Sequence, residues 1–163
     1  MKKYLLLLFL FMVLFSCTDN LNKEVYRYEF YENSDLSVSQ VEGSYLKYGI
    51  ISEGDKVVFK YNYVAEDEEQ IADDEYSESI FFYIDSNIDS FNFVGEDLLN
   101  SKTTLTKYCF CYFPSSNEKS VDPTGAISGK KIDNNRWSID FDITFYGEEN
   151  RKFKKVFILN QIN

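Results

Sequence analysis

The sequence predicts an all-β domain, an antiparallel β-sandwich, with a barrel as the alternative. Three observations carry the prediction. Apolar and polar residues alternate with a period of two in several stretches, the pattern of a half-buried strand. Phe and Tyr number 15 and 13, against seven Gly and two Pro, so aromatic runs recur with only brief interruptions. No window of useful length shows a helical period with caps.

Taken in order, residues 25–31 alternate, with Tyr26, Tyr28 and Phe30 on one face. Asn33, Ser34 and Asp35 read as a turn. Weaker strands follow at 36–41 and 45–51, broken by Gly43. Glu53, Gly54 and Asp55 form a hairpin turn into 56–64, where Val57, Phe59, Tyr61 and Tyr63 share one face. Residues 80–84 are apolar on both faces, as in a central strand. Strands at 90–94, 103–113 and 125–132 come next, with a turn of helix at 97–100. Asp133, Asn134 and Asn135 turn the chain into the clearest strand, 137–146. There Trp137, Ile139, Phe141, Ile143 and Phe145 point one way, and Ser138, Asp140, Asp142 and Thr144 the other. Residues 152–159 close the domain.

Residues 1–24 stand outside this pattern. Lys2 and Lys3 precede an unbroken apolar or aromatic run over 4–15, which ends in Leu14, Phe15, Ser16 and Cys17. A basic start, a short apolar core and a small residue before a cut are the marks of a secretory signal peptide. The run is shorter than the roughly 18 residues that read as a transmembrane helix. The cysteine directly after the small residue resembles the lipobox of bacterial lipoproteins. That resemblance implies cleavage before Cys17, diacylglycerol on its thiol, and acylation of the new amino end. Several acyl chains together hold a membrane firmly, at about 0.8 kcal/mol per buried methylene. The start at Cys17, Thr18, Asp19 and Asn20 is similar to small lipoproteins of the Bacteroidetes, which implies the outer membrane and, through Asp19, display at the cell surface. The organisation expected is therefore a signal peptide over 1–16, a lipidated polar tether over 17–24, and one β domain over 25–163.

Charge and composition restrict the partners. Without Lys2 and Lys3, 15 of the 17 basic residues remain against 27 acidic ones, a formal charge of −12. Nucleic acid is disfavoured, because phosphate binding needs clustered Lys and Arg. The chain has no histidine, which removes Ser-His-Asp and Cys-His catalysis, His-ligated zinc and the commonest general base. Mechanisms built on carboxylates survive. Asp140 and Asp142 share one strand face, but a glycoside hydrolase needs two carboxylates across a cleft, about 5 to 10 Å apart.

Four further patterns carry a functional and a plainer reading. Cys109 and Cys111 flank Phe110 in a strand pattern, so both point to one face. Outside the cytoplasm a disulfide is permitted, but an extended strand strains one closed across a single residue. The expectation is two buried, free, small apolar side chains. The acidic run Glu66, Asp67, Glu68, Glu69, Asp73, Asp74 and Glu75 is a solvated loop, or a calcium site through Asp67, Asp73, Asp74 and Glu75. Asp85, Asn87, Asp89 and Glu96 have EF-hand spacing, yet Ser90 stands where that loop needs glycine, so a simple turn between strands is preferred. Tyr45, Tyr48, Tyr61 and Tyr63 could display a sugar-binding face, whereas Trp137 reads as core. The functional expectation is a membrane-anchored lipoprotein with a non-catalytic β domain that binds a protein, glycan or envelope component. The alternative is a carbohydrate-active protein.

Overall fold

In the computed structural model, which describes residues 23–66, 75–111 and 121–161, one long strand organises the sheet. This is β1 (Val25–Gln40). The chain continues through β2 (Lys47–Glu53), β3 (Lys56–Val64), β4 (Ser77–Asp85), β5 (Ser90–Val94), a short helix α1 (Glu96–Asn100), β6 (Thr104–Tyr108), β7 (Thr124–Asp133), β8 (Arg136–Phe145) and β9 (Glu149–Asn160). The hydrogen-bonded order is β5-β7-β8-β9-β1-β3-β4-β6, with β2 off this path and paired to β1. The all-β expectation holds. The sheet does not close into a barrel; its two halves face each other over a common core, as in a sandwich.

That core is aromatic because the alternating faces read in the sequence point inward. Phe30 of β1, Phe59 of β3, Phe82 of β4, Trp137 and Phe141 of β8, and Phe157 of β9 are all almost fully buried. Phe59 stacks on Phe82 at 4.8 Å within its own half and meets Trp137 edge-on at 5.4 Å across the core. Aromatic pairs in these geometries contribute about 0.5–1.5 kcal/mol beyond area burial.

Two details differ from the sequence reading. First, the sheet is mixed rather than wholly antiparallel. Glu29, Phe30 and Tyr31 of β1 pair in parallel with Ile158, Leu159 and Asn160 of β9. Parallel neighbours need a long crossover, and the rest of the domain, lying between these first and last strands, supplies it. Second, Asn33, Ser34 and Asp35 do not turn the chain. Asn33 takes a positive φ of 52°, and the pairing with β3 shifts register between Tyr31 and Ser34. Asn adopts that backbone at low cost, so the turn-type residues make a bulge inside a continuous strand. Before the bulge β1 pairs with β3; after it, Ser34 to Gln40 pair with β2.

The β1–β2 arm then lies across the outer face of β3, β4 and β6. Leu36 packs with Val58 and Phe81 in a second, smaller core, bordered by Val38, Ile51 and Tyr83. The Thr106 hydroxyl of β6 donates to the Lys47 carbonyl at 2.9 Å and accepts from the Gly49 N–H at 3.3 Å. The arm thus covers β6, an edge strand that would otherwise invite pairing with another chain.

Gly49 permits this approach. A Cβ there would lie 2.6 Å from the Phe81 ring. Gly49→Val should therefore lower stability by about 1–3 kcal/mol, the usual cost of overpacking, measured by urea unfolding.

Candidate functional site

The strand register gathers one group of exposed apolar side chains where the chain enters the domain. Val25 pairs with Val64, Val64 with Ser77, and Ser77 with Tyr108, so the first residue of β1 sits in one row with the ends of β3, β4 and β6. Val25, Tyr26, Val64 and Tyr108 are each between 37% and 49% exposed, and Phe110 is 83% exposed. Between them runs an open groove of about 450 Å³, lined by Val64, Ala65, Tyr76, Tyr108, Cys109 and Phe110. The Tyr26 ring lies 4.8 Å from Tyr63, which lies 6.2 Å from Tyr76.

The cysteine pair shapes this end and corrects the sequence reading. Cys109 and Cys111 are joined in a disulfide. Cys109 is half-buried and Cys111 exposed, so they are not buried free thiols. The physical reason is that β6 ends at Tyr108 and the chain bends at Cys109 and Phe110. Residues two apart in an extended strand lie about 6.5 Å apart; here the Cα atoms are 5.2 Å apart, inside the ordinary disulfide span. The tight ring holds Phe110 outward, clear of the core.

One row further in, the register places Glu78 of β4 beside Tyr63 and Lys107. Glu78 is 3% exposed. Arg151, reaching from β9 in the opposite half, donates Nε to one carboxylate oxygen at 2.8 Å and Nη2 to the other at 2.6 Å. Tyr76 donates its hydroxyl at 2.7 Å. Lys107 ion-pairs with Glu149 at 2.8 Å, bridging β6 to β9. Burial pushes the Glu78 carboxyl up, but the hydrogen bonds from Arg151 and Tyr76 outweigh it and hold the group below the ordinary carboxylate range. Burial, then the neighbouring carboxylate, push the Tyr76 hydroxyl well above its usual value. A charged carboxylate with both oxygens taken joins the two halves of the sandwich and has no proton to give. Nothing local in the sequence marks this pair, because its members stand 73 positions apart; Glu78 sits between two serines at the start of its strand and looks like a solvent-face residue there.

The residues singled out from sequence do not converge on this end. Asp140 and Asp142 lie opposite Lys154 and Lys152 on the outward face of β8 and β9. They are ion-paired with those lysines at 3.4 and 2.5 Å, as charged cross-strand partners on a solvent face. The tyrosine group is divided: Tyr45 and Tyr61 are buried in the main core, while Tyr48 and Tyr63 are half-buried. Trp137 is core, 2% exposed. In the EF-hand-like stretch, Asp85 ion-pairs with Lys56 at 3.1 Å. Its turn carries the chain from β4 in one half of the sandwich to β5 in the other. Of the proposed calcium ligands, Asp67, Asp73 and Asp74 lie outside the described residues, as does Cys17; Glu75 borders the apolar groove. Among the described residues no group of three or more Cys, Asp or Glu side chains is placed to hold a metal ion, and no helix is long and apolar enough to cross a membrane. No family model, curated protein or solved structure matches the chain.

Arg151→Met leaves the Glu78 charge buried without its partner and should cost about 3 kcal/mol or more in urea unfolding. The acid response follows from the same pair. Folded Glu78 binds fewer protons than unfolded Glu78, so its contribution is present above the ordinary glutamate value of about 4.3 and is lost as the pH falls through its lower folded value. The melting temperature should drop on acidification below pH ~4.3, and Glu78→Gln should flatten that part of the profile. Reducing the Cys109–Cys111 disulfide opens a ring of only three residues. The unfolding free energy from urea titration should then change by no more than about 1.5 kcal/mol, less than a long-loop disulfide contributes.

Proposed function

We propose that the chain is a lipid-anchored protein of the cell envelope, held in the outer membrane through acylated Cys17, and that its β domain works by binding rather than by catalysis. The junction of Leu14, Phe15, Ser16 and Cys17 behind a basic, apolar leader carries the anchoring half of this reading. The second half rests on how the carboxylates are used. A carboxylate-based hydrolase needs one acid that holds a proton and a second group facing it across a cleft. Glu78 is kept ionised and saturated by Arg151 and Tyr76, and Asp140 and Asp142 are matched to lysines on an open face.

The formal charge of −12 on the mature chain suits a displayed domain that must stay soluble beside its anchor, and it turns nucleic acid away. Under this reading the ligand is a protein, glycan or envelope component met at the cell surface.

The test is metabolic labelling with an alkyne fatty acid, followed by membrane fractionation. The native chain should take the label and sediment with outer membranes. Cys17→Ala should lose the label and leave the outer-membrane fraction. Label on the variant, or an unchanged distribution, would overturn the anchor.

A further inference from the structure

We propose that the apolar end of the domain, with Phe110 at its tip and Val25, Val64 and Tyr108 around it, docks onto the lipid surface that holds the anchor. This rests on the lipidation of Cys17 proposed above and names what that anchor brings the domain against.

Three observations place the occupant. Seven residues separate Cys17 from Val25, and seven residues span at most about 25 Å when fully extended. The end of the domain that carries Val25 is therefore kept within about 25 Å of the bilayer. That same end bears the most exposed large apolar side chain, Phe110 at 83%, together with Tyr108 at 47% and Tyr26 at 49%. Aromatic rings with one polar tip settle at the headgroup level of a bilayer, where the ring is dehydrated and the hydroxyl stays wet. Finally, the exposure is imposed by the backbone. The Cys109–Cys111 ring and the end of β6 push Phe110 outward, while Arg151, Glu78, Lys107 and Glu149 fill the layer beneath with satisfied charge. An apolar tip over a polar floor cannot retract into the core.

The charges around the tip choose the kind of surface. Lys23, Glu24, Glu66 and Glu75 are exposed at this end, the acidic run from Glu66 to Glu75 joins β3 to β4 there, and clustered carboxylates are repelled by anionic lipid. The surface that fits is zwitterionic, such as one rich in phosphatidylethanolamine. One acyl anchor system plus an aromatic tip would fix the orientation of the domain, which a tether alone leaves free.

The experiment uses the full lipidated chain in vesicles of phosphatidylethanolamine and phosphatidylcholine, with tryptophan placed by Phe110→Trp. Native Trp137 is buried and supplies a constant background. Ile132→Trp, at the opposite end of the sheet and 49% exposed in the native residue, is the control. Docking predicts that the Phe110→Trp emission shifts to the blue and is quenched by lipids brominated near the headgroup. The Ile132→Trp emission should stay unquenched, and added phosphatidylglycerol should weaken the Phe110→Trp quenching. Protein that floats with the vesicles but leaves Phe110→Trp unquenched overturns docking while the anchor stands. Equal quenching at both positions overturns it as well. Protein that does not float overturns the anchor, and docking with it. A blue shift that needs no vesicles, from a second copy or an added oligosaccharide, assigns the tip to that occupant and overturns the lipid surface.

Discussion

Phe59 is the contact on which the two halves of the molecule depend. Its ring lies within 4.8 to 6.1 Å of Phe30, Phe82, Phe91, Trp137 and Phe157. Those partners come from β1, β4, β5, β8 and β9, so one side chain on β3 touches both layers. The sheet is continuous only through the short parallel seam between β1 and β9, with three residue pairs in register. Hydrogen bonds there are too few to set the angle between the halves. Packing around Phe59 sets it, because interlocked rings tolerate little change of volume or orientation.

With that angle fixed, the ends of the sandwich are left to polar chemistry. At the end where β1 begins, β4 and β9 meet across the core through Glu78 and Arg151, and β6 and β9 through Lys107 and Glu149. Buried ion pairs of this kind add little net stability but penalise misplacement strongly. Their physical role here is alignment: β9 can sit at only one height relative to β4 if the guanidinium is to meet both carboxylate oxygens. The outer arm of β1 and β2 depends in turn on that alignment, since it grips β6 through Thr106.

The sequence was most legible where one rule governed. β8 alternates cleanly because one face meets the core and the other does not, and the inward residues of β3 follow the same reading although its outer Val58 is buried under the arm. Legibility failed where residues of one local character served a different end. Asn33, Ser34 and Asp35 have turn chemistry, but pairing on both sides keeps β1 extended, so they make a bulge. Cys109 and Cys111 have strand periodicity, but β6 loses its partner strand after Tyr108, which pairs with Ser77 at the start of β4, and the chain is free to bend. The Glu78–Arg151 pair was hidden for another reason. Each residue looks ordinary beside its neighbours, and only the sandwich brings them together. The apolar end was likewise invisible, because it is assembled from the tips of four strands.

Orientation is the final consequence of that assembly. The turns at Asp55, Asp85 and Asp133 lie at the end of the sheet opposite Val25, Val64 and Tyr108. There Asp85 and Asp55 share Lys56, and Asp133 is paired with Arg136. The end that carries the apolar tip is also where Glu24 stands and where the acidic run from Glu66 to Glu75 joins β3 to β4, so under the proposed anchoring these carboxylates are the charges nearest the lipid. The apolar tip and these carboxylates then express one constraint: the attachment proposed above suits a zwitterionic surface, which the ring can enter and the carboxylates tolerate, and not an anionic one, which would repel them.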